Sequence, residues 1–174
     1  MSGITGSDLV LDELIDLGVD YEVMPCDPTL ADTANFCSSY GIDPSDSVNA
    51  ILVAGKAREG QDRLYALCLV LATHRLDVNG TVRERLGSRK ASFASAEETI
   101  HLTGMQIGGV TPFGLPEGAD IPIWVDKDVL TRDRIVVGGG SRDRKLLLPP
   151  IGLLALPSAQ IIDGLARVVP SPEN

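Results

Sequence analysis

The chain has 174 residues, 44% of them hydrophobic and 22% charged, and that length is close to the roughly 100–200 residues of one compact domain. A chain of this size buries about two-thirds of its unfolded surface, so it needs neither disulfides nor a metal to hold a core. Its 24 acids against 15 bases give a formal net charge of -9, which argues against a general duplex binder, whose affinity rests on covering many phosphates.

The charge is divided unevenly. Residues 1–62 carry 12 acids and two bases, Lys56 and Arg58, whereas residues 63–174 carry 12 acids and 13 bases. A phosphate-bearing ligand is therefore expected to meet the later part of the chain through a few local contacts. Cys26, Cys37 and Cys68 are odd in number and match no C-x-x-C pairing, so they read as reduced thiols. The N-terminus has no basic start and no apolar signal segment, and no run approaches the about 18 apolar residues of a membrane span. A soluble cytoplasmic protein is expected, organised as one domain over residues 1–174 with residues 171–174 frayed.

In chain order, Ser7 is placed to cap a first helix whose apolar face carries Val10, Leu11, Leu14, Ile15 and Leu17, with Gly18 as its stop. A short strand is expected over residues 21–24, a second helix over about 30–40 ended by Gly41, and a strand over 48–54. Residues 63–71 are apolar on both alternations, as in a central strand. A helix over about 78–86 follows, capped by Asp77 or Asn79 and closed by Gly87. Ser95-Ala96-Glu97-Glu98 forms a capping box for a helix to about residue 102. Glycine, proline and short β-type runs then take over, with strands expected over 121–125, 134–137 and 145–148. A helical C-terminus is expected around 150–169. Helices early and strands late indicate an α+β domain with a mixed, barrel-like sheet wrapped by helices.

Few residues offer obvious chemistry. His74 and His101 lie far apart with no H-E-x-x-H spacing, so neither a metal nor another cofactor is expected. Cys37 and Cys68 fall on apolar faces where inert thiols are usual, and Cys26 reads as a loop thiol at a strand exit. No G-x-S-x-G, Walker loop or G-x-G-x-x-G occurs. Two glycine clusters remain. In Gly108-Gly109-Val110-Thr111-Pro112 the glycines let backbone approach a ligand while proline fixes the path; a tight structural turn has about equal claim to it. Gly138-Gly139-Gly140-Ser141-Arg142-Asp143-Arg144-Lys145 joins a flexible loop to cations that suit a phosphate, though a solvated hairpin tip would look the same.

These pieces, with Cys26-Asp27-Pro28, residues 47–53, Lys90-Ala91-Ser92-Phe93-Ala94, Thr103-Gly104 and Ile123-Trp124-Val125-Asp126, resemble in order and spacing the YbaK / prolyl-tRNA synthetase-associated editing-domain family. The resemblance implies that family's α+β fold and an aminoacyl-tRNA deacylase acting in trans on the 3′ aminoacyl end of tRNA. It also implies that Gly108 through Pro112 shape the aminoacyl pocket with backbone groups. The family's characteristic lysine falls at Asn49, and a histidine found in relatives falls at Cys26. Lys56 lies beyond the strand with opposite parity, so the glycine loop, through Arg142 or Lys145, is the expected source of a cation. Asn49 and residues 108–112 are thus the candidate catalytic set, and Cys26, Gly138, Gly139, Gly140, Ser141, Arg142 and Lys145 the candidate substrate contacts. The competing classes are a non-catalytic ligand-binding module on the same fold and a protein-interaction domain using the acidic first third.

Overall fold

The computed structural model describes residues 8–170. Two β-sheets face each other across one apolar core. The larger sheet has the order β5-β2-β3-β6-β9, with β5 Ala91–Phe93, β2 Val48–Gly55, β3 Tyr65–Leu71, β6 Ile123–Asp126 and β9 Ala159–Ile162. The smaller has the order β1-β8-β7, with β1 Glu22–Pro25, β8 Arg144–Leu148 and β7 Ile135–Gly138. β2 pairs antiparallel with β3 and β5, while β3–β6 and β6–β9 are parallel, so the larger sheet is mixed. The expected α+β fold is the one observed.

Alternation along the strands decides what lies between the layers. Val48 and Leu52 on β2, Leu67, Leu69 and Leu71 on β3, Val137 on β7 and Leu146 and Leu148 on β8 fill the space between the sheets. The opposite face of the larger sheet packs Val53, Cys68, Val70 and Trp124 against Val82, Leu86 and Leu165. The outer face of the smaller sheet packs Val136 and Leu147 against Phe36 and Cys37 of α2, Thr33–Tyr40. β3 is central, and its residues 66–71 are all buried, which accounts for its unbroken apolar run.

The helices start and stop where local chemistry directs. The cap expected at Ser7 lies outside the described residues; α1, Leu9–Asp16, is capped by Asp8, whose carboxylate accepts from the Leu11 N–H at 3.2 Å. The Arg144 guanidinium holds that carboxylate at 2.6 and 2.9 Å and, by hydrogen bonding, keeps its pKa below the usual range. Expected helix 30–40 is divided into a 3-10 turn, Pro28–Leu30, and α2, which Gly41 ends at φ 67°. Asp77 caps a π-helical turn, Val78–Val82, that runs into α3, Arg83–Leu86. The capping box at Ser95 and Glu98 is present on α4, Ala96–Thr103.

One expectation is corrected. The helix expected over 150–169 is instead a 3-10 turn, Pro150–Ala155, followed by β9 and β10, Ala166–Val168. β10 pairs with β4, His74–Leu76, a strand not anticipated from the sequence. Pro157 and Gly164 interrupt any helix, and β9 finds its partner in distant β6. The fraying expected of 171–174 lies outside the described residues. No helix among the described residues is long and apolar enough to cross a membrane.

Leu69, fully buried in β3, should cost about 2–5 kcal/mol when changed to Ala. Ile161→Ala, on exposed edge strand β9, should stay within about 0.5 kcal/mol. Urea unfolding of both variants checks the assignment of central and edge strands.

Candidate functional site

The barrel does not close completely. Just before β2, Ser47 forms an isolated bridge to Val136 of β7, and among the described residues β2 and β7 form no ladder beyond it. The bonds Ala72 N–H to Ser47 C=O and Gly55 N–H to Leu64 C=O place the odd-numbered backbone groups of β2 against β3. The Ala50 N–H and C=O therefore face the open seam. A cavity of about 350 Å³ occupies that seam, walled by residues 48–52, by Val136, Val137 and Gly138, by Asp32, Thr33 and Phe36 of α2 and its lead-in, and by Gly108 and Val110. It lies at the lower end of the roughly 300–1,000 Å³ usual for small-molecule sites.

Lys145 forms part of the wall. It is only 7% exposed, and its ammonium donates to the Ala31 carbonyl at 2.7 Å and the Gly108 carbonyl at 2.6 Å. It also lies over the Phe36 ring, 5.5 Å from the centroid. Burial pushes its pKa below the ordinary lysine range. Two of its three protons are committed to carbonyls, which leaves one N–H for the cavity. Elsewhere on the wall, the Asn49 Oδ1 accepts from the Thr33 hydroxyl at 2.5 Å, which leaves its amide nitrogen as a donor. Odd positions on β2 and β8 place Asn49 and Lys145 on the outer faces of their sheets, and α2 bridges the seam between them.

Of the candidate residues, Asn49, Gly108, Val110, Gly138 and Lys145 share the cavity wall. The others sit behind it. Gly109 packs so closely on Ser141 that a Cβ would lie 2.8 Å from its carbonyl carbon. Thr111 is fully buried, with its hydroxyl unpartnered among the described residues and its N–H 3.4 Å from the Met105 sulfur. Pro112 faces a different depression, beside α1. Gly139 and Gly140 pack against Arg144 and Val10, and Ser141 bonds Asp143. Arg142 does not line the cavity; it donates to the Pro28 carbonyl at 3.1 Å and the Ile107 carbonyl at 2.6 Å and pairs with Asp32 at 3.4 Å. Cys26 sits, as expected, in the loop where β1 ends, and it is buried against Phe36 and Cys37 of α2, with its thiol pKa raised by desolvation. Burial likewise raises the pKa of Cys37, and that of Cys68 to about 12.

Sequence reasoning missed Thr33, Asp32 and Phe36, whose spacing matches any amphipathic helix start, and Phe93 and Ile107, exposed by 60% and 49% at the cavity mouth. Away from the cavity, His74 joins Asp126 and Asp128, each offering a donor atom within 4.8 Å of the others. There the His74 Nε2 and an Asp128 oxygen are 2.8 Å apart, and buried Asp126 accepts from the Ala166 N–H at 3.2 Å.

Residues 27–156 match the aminoacyl-tRNA editing domain family. The chain belongs to that family. Among solved structures, a proposed trans-editing enzyme for prolyl tRNA synthetase superposes with a TM-score of 0.73 at 26% identity, covering 91% of this chain and 98% of that one. A hypothetical protein of known crystal structure gives 0.78 at 24% identity, covering 92% and 100%, a likeness of fold. In this editing domain the cavity wall carries the neutral Asn49 from β2 and the ammonium of Lys145 from β8.

A Cβ added at Gly138 would collide with the Val110 carbonyl oxygen. Gly138→Ala should push the 108–110 loop away from β7 and cost about 1–3 kcal/mol. Denaturant unfolding and a crystal structure of the variant check both effects; unchanged stability with an unmoved loop would contradict this packing.

Proposed function

We propose that this editing domain hydrolyses the ester joining a mischarged amino acid to the terminal ribose of tRNA, in the cavity beneath α2. The observation supporting this most directly is convergence: Asn49, Gly108, Val110, Gly138 and Lys145, drawn from four separate segments, wall one cavity in a member of an editing family. An interaction domain gives no reason for that convergence. An aminoacyl ester is already activated, so the site has chiefly to position water and the neighbouring ribose hydroxyl and to stabilise an oxyanion. Water attacks the carbonyl carbon, the carbonyl electron pair moves onto oxygen, and collapse expels the ribose oxygen, which takes up the proton lost by water. The products are the free amino acid and deacylated tRNA.

In this reading the Gly108 and Val110 amides, which meet no protein acceptor among the described residues, are the oxyanion donors. Ala50 offers a backbone N–H and C=O to the bound aminoacyl group. Lys145 supplies the fixed positive field, and Asn49 a neutral donor where relatives carry the cation. No cofactor enters the scheme, and the setting is cytoplasmic, where charged tRNA is used. A second reading, saturable binding of an aminoacyl or nucleotide ligand without turnover, is favoured by the neutral Asn49 and by the two lysine protons already committed. Purified protein incubated with a panel of mischarged tRNAs separates the two: accelerated ester loss with at least one supports hydrolysis. Binding by calorimetry with no acceleration at high enzyme supports the second reading.

Lys145→Met should lower kcat/KM about 10²-fold, the scale of one lost electrostatic contact to the transition state. The double variant Asn49→Lys/Lys145→Met should regain part of that loss by restoring a cation from the family position. Single-turnover deacylation measures both; no recovery in a well-folded double variant would count against the shared role.

The depressed pKa of Lys145 has two consequences of opposite sign. Between its folded value and the about 10.4 of an unfolded lysine, the unfolded chain binds more protons, so rising pH stabilises the fold. The same rise removes the charge. Relative to Lys145→Met, wild-type stability should climb through that window while the hydrolytic rate falls, as pH-dependent unfolding and rate profiles would reveal.

A further inference from the structure

The cations that the sequence placed beside the ligand are occupied. Arg144 is held by Asp8, Arg142 by Asp32 and two carbonyls, and Lys145 by two carbonyls. A different set is free of ion pairs. Lys56 and Arg58, at the start of the β2–β3 hairpin, and Arg89 and Lys90, on the α3–β5 loop, line a surface groove of about 370 Å³ with Glu59 as the one acid on its wall. All four are exposed, and among the described residues none forms an ion pair. In a chain of net charge -9, four unpaired cations gathered against one acid run counter to the composition and leave a local positive field.

The groove has a defined frame. The Lys56 N–H donates to the Lys90 carbonyl at 2.8 Å and the Ser88 hydroxyl at 2.9 Å, and Arg58 donates to the Gly87 carbonyl at 2.9 Å. The two loops are thus fixed side by side. From Lys90, β5 runs directly to Phe93 on the cavity mouth, about 10 Å at the rise of a strand. That is the span of a few nucleotides. Phe93 and Ile107 expose an apolar face at the mouth on which a base can stack.

We propose that this groove binds the backbone phosphates of the single-stranded 3′ end of tRNA, a few nucleotides back from the ester in the cavity, with the terminal base against Phe93. The assignment rests on the editing function proposed above for the identity of the strand, and on the groove's own charge and position for its chemistry. It also reconciles an acidic protein with an RNA substrate, because four contacts to a single strand need no extended footprint.

The test uses fluorescence anisotropy with a deacylated acceptor-stem RNA hairpin ending in a single-stranded CCA, and the same hairpin made blunt. Wild type should prefer the CCA hairpin, and log affinity should fall with log salt with a slope of about -3, since each phosphate contact on a single strand contributes about -0.7. The variant K56Q/R58Q/R89Q/K90Q, melting like wild type, should bind at least tenfold more weakly at low salt, with a slope near zero. Unchanged affinity and slope in that variant, or equal binding of the blunt hairpin, would overturn the proposal. Hydrolysis of 3′-aminoacyl-adenosine, which has no phosphate, should be the same for both proteins. If neither cleaves it while the variant still loses RNA binding, the groove stands and the editing reading falls.

Discussion

Two cations determine how the site is held. Lys145 and Arg142 between them take the carbonyls of Pro28, Ala31, Ile107 and Gly108. The first two belong to the lead-in of α2 and the last two to the 107–112 loop, so each cation ties the same pair of segments together. Burying an ammonium is costly unless acceptors surround it. Once Lys145 is enclosed by β8 and Phe36, the backbone must turn oxygens towards it. The peptide unit is planar and trans, so fixing the Ile107 carbonyl on Arg142 turns the Gly108 N–H to the opposite side, where Gly108 walls the cavity. The clamp that joins the segments thereby also orients the amide.

The cavity itself arises from incomplete sheet closure. Were β2 and β7 to continue the pairing begun at Ser47 and Val136, Ala50 and Gly138 would satisfy one another and no space would remain. Two features keep them apart. The Val110 carbonyl lies over Gly138 so closely that only glycine fits, and α2 is drawn across the seam by Lys145 and by Thr33 bonding Asn49. Backbone groups that a closed barrel would consume are left facing a pocket, which is why a site with no triad still has donors and acceptors to offer.

Much of this was legible in the sequence because the signals were local. The capping box at Ser95, the αL glycines at Gly41 and Gly87, and the unbroken apolar run of β3 each act through neighbours in the chain. The order of glycine and proline motifs carried the family resemblance. What was not legible depended on distant partners. Apolar residues at Ile151, Leu153, Leu154 and Leu156 mimic a helix, yet the segment after them is claimed by β6 and β4. The loop cations were indistinguishable on paper, since nothing in Arg142-Asp143-Arg144-Lys145 says that Arg144 will reach back to Asp8, or that Lys145 alone will be buried into the cavity wall.

The way Lys145 is held sets what its charge can do. A lysine on an open strand position keeps a flexible stem and can follow a charge as it develops. Lys145 cannot, because two of its protons are held by carbonyls and its stem is enclosed. It is a fixed charge, and a fixed charge acts on a bound group without reorganising. Such a charge acts only on a group that the cavity walls bring to the right place. With a neutral Asn49 and an immobile Lys145, selection in this cavity rests on the shape of the seam rather than on a mobile charged side chain.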